Sequence, residues 1–133
     1  MRFKPTGYTP FMLMAQTCAL LGFACYAVVL TTLQEEWHLS NLESGLIASA
    51  FFFGYMLMVP LATALTDRVD AKKVYLIGGL SATCGLLGMG LFAYNFWTAL
   101  IFMALNGAGL AGTYMPGLKI LSDRIKTGEL SRH

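Results

Sequence analysis

Thr63-Ala-Leu-Thr-Asp-Arg-Val-Asp-Ala-Lys-Lys-Val74 is a short charged stretch set between two long apolar runs. Five of its residues are ionised: Asp67, Arg68, Asp70, Lys72 and Lys73. Residues 44–66 carry no charge, and neither do residues 74–118. Ionised side chains are expensive in hydrocarbon, so charges crowded between two such runs mark a place where the chain leaves a bilayer and turns back into it.

The whole composition agrees with that reading. At 56% hydrophobic and 12% charged residues, the chain is far more apolar than a soluble domain. It reads as an all-α, polytopic membrane protein forming one membrane domain over residues 1–133, with the lipid bilayer as its first partner. A net charge of +2, spread over several segments, leaves no nucleic-acid footprint. Cys18, Cys25 and Cys84 all fall inside apolar runs, where a free thiol behaves as a small hydrophobe and packing is the expected role. His38 and His133 stand alone, with no metal-ligand or triad spacing around them. The sequence therefore implies neither an enzyme nor a metal or cofactor.

Four spans follow from the apolar runs, at residues 10–33, 44–66, 74–94 and 97–121. The basic leader is followed by a run too long for a secretory h-region, so it reads as an uncleaved first span. Thr9 before Pro10 predicts its helix start, and the run covers roughly 35 Å, enough to cross a bilayer core with some tilt. In that span Ala15, Cys18, Gly22, Cys25 and Tyr26 form a small-residue flank around Gln16. The flank admits close helix packing or ligand contact. Ser40 with Glu43 predicts a capping box opening the second helix at Asn41. Phe51-Phe-Phe53 is expected to face lipid, and Pro60 to kink the helix or free a carbonyl. Asp70 is a candidate N-cap for the third helix, and 95–97 is a very short return. In the fourth span Ala104, Ala108, Gly112 and Pro116 recur at steps of four beside a stripe of Asn106, Gly109, Thr113 and Gly117. Gly107 to Gly112 spells G-x-G-x-x-G, but a dinucleotide site needs a preceding strand and a crossover, and this lies within a membrane span.

Orientation follows from the basic residues. Arg2, Lys4, Arg68, Lys72, Lys73, Lys119, Arg124, Lys126 and Arg132 all lie in the leader, the 67–73 turn or the end of the chain. The acidic 34–43 loop has no Lys or Arg. The positive-inside bias then puts both termini and the turn in the cytoplasm, with 122–133 a cytoplasmic tail.

Thr63-x-Leu65-x-Asp67-Arg68-x-Asp70-Ala71-Lys72 resembles the G-x-L-x-D-R-x-G-R-K signature of the major facilitator superfamily, which occupies the cytoplasmic turn between the second and third spans. Leu65, Asp67, Arg68 and Lys72 match it. Thr63, Asp70 and Ala71 stand where the signature has Gly, Gly and Arg, with Lys73 a substitute for the missing Arg. Leu39-Ser40, Gly45-Leu46, Ser49 to Phe51 and Gly54-Tyr55 are similar to the family's approach to the second span. Asn106-Gly-Ala-Gly109, Ala111-Gly112 and Pro116 resemble its R-x-x-Q-G-x-G region, with Met103 in the place of a membrane-embedded Arg.

The resemblance covers nearly the whole chain. It implies four spans of the N-terminal six-helix half of a transporter that moves a small solute by alternating access. Such a portion is expected to be inactive alone, a fragment of a bacterial inner-membrane protein lacking its C-terminal half. It further implies a cytoplasmic latch of Leu65, Asp67, Arg68, Lys72 and Lys73, with Asp123 at the end of the fourth span as partner of Arg68 or Lys72. Gln16, Tyr26, Asn106 and Thr113 are its cavity-lining candidates, and each also fits ordinary interhelical hydrogen bonding. The other reading is an autonomous four-helix membrane protein with an assembly or interaction role, as a homo-oligomer or an interaction subunit.

Overall fold

The computed structural model describes residues 8–130. Among these the chain forms four helices and no strand: α1 (Tyr8–Glu36), α2 (Asn41–Arg68), α3 (Ala71–Phe92) and α4 (Phe96–Leu130). All four are long and apolar enough to cross a membrane. Arg2, Lys4 and Arg132 lie outside the described residues.

The connections are short because each helix end carries its own closing chemistry. After α1, His38 takes a left-handed conformation at φ 51° and the Leu39 N–H reaches the Gln34 carbonyl at 3.1 Å. That is the pattern of a Schellman ending, with His38 where glycine is usual. Ser40 then opens α2 with the expected capping box: its N–H donates to Glu43 Oε2 at 2.8 Å, and the Glu43 N–H donates back to Ser40 Oγ at 3.2 Å. α2 continues through Pro60 to Arg68. Before α4, Asn95 and Thr98 exchange hydrogen bonds, the Asn95 N–H donating to Thr98 Oγ1 at 3.1 Å and the hydroxyl donating to the Asn95 carbonyl at 2.8 Å.

α4 is the centre of the bundle. It packs closely on both α2 and α3, whereas those two, although joined by only two residues, touch each other little because α4 lies between them. Glycine makes this approach feasible. A Cβ on Gly107 would collide with the Phe51 carbonyl of α2, and one on Gly54 with the Ala104 carbonyl of α4. On the other side Gly78 of α3 lies directly against the backbone of Gly112, and a Cβ on Gly112 would meet Gly78 Cα at 2.9 Å. Where lipid supplies no hydrophobic drive between helices, such close backbone contact is the principal source of association.

α1 sits on the outside of this trio. Its Phe23 ring stacks on Phe51 with centroids 4.5 Å apart, Gly22 faces the Leu86 side chain of α3, and Tyr26 is buried in the core with Ile47, Met103 and Leu110. Outer faces stay apolar, as lipid contact requires: Val28, Leu76, Leu80 and Leu87 are all exposed.

Several expectations are corrected. Phe51 points inward at 4% exposure while Phe52 and Phe53 point out, because a helical turn cannot aim three consecutive rings at one environment. Cys18, Cys25 and Cys84 are exposed rather than packed, and in the small flank of α1 Gly22 and Tyr26 meet neighbouring helices. α1 already includes Tyr8 and Thr9, so Pro10 lies within the helix rather than at its first position. α4 runs on to Leu130, past the expected end of the span.

Candidate functional site

The turn between α2 and α3 is reduced to Val69 and Asp70. The Val69 N–H closes α2 on the Leu65 carbonyl at 2.8 Å, and Asp70 caps α3 by accepting the Lys72 N–H at 3.1 Å. This accounts for the two positions where glycine is replaced. Asp70 has φ −52° and needs no glycine, and its carboxylate supplies a cap that glycine lacks. Thr63 lies inside α2 with its hydroxyl donating to the Val59 carbonyl at 2.8 Å. Leu65, Asp67, Arg68, Lys72 and Lys73 are all exposed around the turn.

One ion pair at this end is made by a residue outside the motif. Lys119 Nζ of α4 lies 3.0 Å from Asp67 Oδ1 and 2.8 Å from the Thr66 carbonyl. Thr66 is buried, and its carbonyl is among the last four of α2, which lack intrahelical donors. One ammonium therefore neutralises the motif carboxylate and also closes the negative end of the helix that carries it. The expected partner, Asp123, sits one turn beyond Lys119 on the same helix and is exposed. Sequence reading paired Asp123 with Arg68 or Lys72 and counted Lys119 only as a topology charge; the Lys119–Asp67 pair is an additional contact, not a replacement for that pairing. What would have found it is the register of α2 on α4, since Gly54 against Ala104 higher up brings Thr66 and Asp67 level with Lys119.

The four cavity-lining candidates divide in two. Tyr26 is buried and its hydroxyl donates to the Ser44 carbonyl at 3.0 Å; Thr113 is buried and its hydroxyl donates to the Leu110 carbonyl at 2.8 Å. Both are satisfied by backbone. Gln16 and Asn106 are different, for the Nε2 of one and the Nδ2 of the other are sealed from solvent with no hydrogen-bond partner. Ser44 Oγ, which the sequence did not single out, is a third such atom among the described residues. Met103, in the place of the family's embedded Arg, is buried in the core at 1% exposure.

Three apolar helices around a fourth, glycine-lined one, with the end of α2 beside a two-residue turn held by Lys119 of α4, define a polytopic α-helical membrane protein. Residues 12–132 match the Major Facilitator Superfamily. The chain belongs to that superfamily. It is 36% identical over 81 residues to the probable sphingolipid transporter spinster homolog 1 of Arabidopsis thaliana, a match covering 61% of this chain and 16% of that protein. It is 30% identical over 107 residues to protein spinster homolog 1 of Xenopus tropicalis, covering 80% of this chain and 20% of the relative. The niacin transporter NiaP of Acinetobacter baylyi is 34% identical over 104 residues, covering 74% and 22% respectively. The chain thus spans about a fifth of the length of these relatives. No solved structure matches it.

Proposed function

We propose that this chain forms the first four spans of a secondary active transporter, carrying a small solute by alternating access, with the α2–α3 turn as a cytoplasmic latch. The observation that carries this reading is the Lys119 clamp, which fixes Asp67 at the rim of the bundle. There its carboxylate can meet a helix N-terminus of a second half, while Arg68, Lys72 and Lys73 present positive charge beside it. Leu65 and Asp123 complete the latch, and Gln16, Tyr26, Asn106 and Thr113 face the solute path. Both termini are cytoplasmic, as the basic residues around the turn favour, and the membrane we assign is a bacterial inner membrane.

Four spans are a third of the twelve that two six-helix halves bring around a cavity, so the chain by itself is inactive. Proteoliposomes containing only this chain are expected to show no saturable uptake of any solute, and saturable uptake would overturn the fragment reading. Orientation is tested separately by cysteine labelling of intact cells: His38→Cys reacts with an impermeant reagent from outside, and Lys73→Cys reacts only after permeabilisation. The reverse pattern would remove the cytoplasmic latch.

A further inference from the structure

The two sides of α3 are built from different residues. Val74, Gly78, Ala82, Gly85 and Gly88 are buried, and the glycines among them lie against Gly112, Asn106 and Phe102 of α4. Leu76, Leu80 and Leu87 stand on the opposite side, at 69%, 67% and 57% exposure. Their spacing keeps them in one stripe along the helix. Lys72 heads that stripe one turn before Leu76, and Lys73 followed by Ile77 repeats the arrangement on its flank. Both lysines are exposed.

α3 offers these lysines no acid. It contains neither Asp nor Glu, and one turn on from Lys72 and Lys73 stand Leu76 and Ile77. The carboxylates of the adjoining turn are engaged elsewhere: Asp67 pairs with Lys119, and Asp70 accepts the Lys72 backbone N–H as the cap of α3. A lysine at the edge of an apolar surface lays its stem over hydrocarbon and holds its ammonium at headgroup level. Below that level the stripe from Leu76 to Leu87 covers roughly 16 Å of helix, about the depth of one leaflet of hydrocarbon.

This surface fits a molecule with an anion at the headgroup level and an alkyl chain beneath it. We propose that Lys72 and Lys73, with the stripe of Leu76, Leu80 and Leu87, bind an anionic glycerophospholipid, the lysines holding its phosphodiester and the stripe one acyl chain. Charge complementarity selects the lipid. In phosphatidylglycerol nothing within the headgroup balances the phosphate, whereas in phosphatidylcholine the lipid's own cation competes with the lysines. The site requires neither solute transport nor a second half of the protein, so a failed uptake assay leaves it untouched.

The test is quenching of a single tryptophan in the full chain, with Trp37 and Trp97 changed to Phe and Leu80→Trp placed in the stripe. The protein is reconstituted in phosphatidylcholine bilayers containing a small fraction of either phosphatidylglycerol or phosphatidylcholine brominated at mid-chain. Brominated phosphatidylglycerol is expected to occupy the site about fivefold more favourably than its phosphatidylcholine counterpart. Lys72→Gln with Lys73→Gln should bring that ratio to near one, Lys72→Arg with Lys73→Arg should keep it, and Arg124→Gln with Lys126→Gln should leave it unchanged. Val28→Trp, on the exposed face of α1 and as far from Glu36 as Leu80 is from Lys72, should show no preference. Unaltered quenching by brominated phosphatidylcholine in the Gln variant shows that it is folded. A preference that survives the loss of both lysines, or that falls equally when Arg124 and Lys126 are replaced, overturns the site. The same preference at Val28→Trp makes it a property of the whole chain and overturns it too. Weak quenching of Leu80→Trp by both lipids would mean that protein, such as a second copy of this chain, covers the stripe, and would also overturn the proposal.

Discussion

Removing the Lys119 ammonium should cost more than removing the carboxylate it faces. In Lys119→Met both contacts of the ammonium are lost, whereas in Asp67→Asn only the ion pair is weakened. The side chains of Lys119 and Asp67 are 39% and 71% exposed, so solvent screens the pair and its share is about 0.2–0.5 kcal/mol. The bond to the Thr66 carbonyl is better protected, since Thr66 is only 8% exposed, and a cation closing a helix C-terminus contributes about 0.3–1 kcal/mol. Lys119→Met is therefore expected to destabilise by about 0.5–1.5 kcal/mol, and Asp67→Asn by no more than about 0.5 kcal/mol. A double-mutant cycle read by equilibrium unfolding in mixed micelles separates the two. Their coupling should equal the small ion-pair share, leaving most of the Lys119 effect intact when Asp67 is already Asn. Raising the salt should erase the Asp67→Asn effect and spare the remainder. If Lys119→Met costs nothing in the Asp67→Asn background, the helix-end contact contributes no stability and the reasoning fails.

Three further outcomes follow from the packing. Gly107→Ala should destabilise by about 1–3 kcal/mol because its methyl meets the Phe51 carbonyl, while Gly90→Ala, with open space around it, should be neutral or stabilise by up to about 1 kcal/mol; thermal unfolding compares them. Phe51→Ala removes a ring stacked in the core and should lower the Tm clearly, whereas Phe53→Ala, on the outer face, should change stability by less than about 0.5 kcal/mol. His38 holds φ 51° at the end of α1, so His38→Gly should be neutral or stabilise by up to about 1 kcal/mol and His38→Val should destabilise by about as much, as read by the same unfolding curves.

The helices were legible in the sequence because each is bounded by charges and caps that act locally. Ser40 with Glu43 and Asp70 with Lys72 close their helix ends within a few residues, and both contacts form as read. What reached beyond one turn was less legible. Phe51, Phe52 and Phe53 are alike in polarity, and only the register of α2 on α4 decides which of them turns inward. Lys119 was hidden for the same reason: its partners lie more than fifty positions earlier, and composition cannot tell a topology charge from a clamp. Gln16, Tyr26, Asn106 and Thr113 were visible as polar residues in apolar surroundings. Which of them bond to backbone and which do not depends on neighbouring helices, and no spacing rule encodes that.

The central place of α4 also has a consequence in time. α2 and α3 are made before α4 and joined by two residues, yet they share little surface, and Gly107 and Gly112, which meet them, belong to α4. Until Gly107 and Gly112 have left the ribosome, α2 and α3 lack the surface they share through α4, and only the side-chain contacts of α1 with them can form. The tight glycine seams of this bundle therefore close late, when α4 arrives. A chain stopped just before α4 would hold its spans in the membrane without a tertiary fold, exposed to whatever quality control recognises unpaired helices.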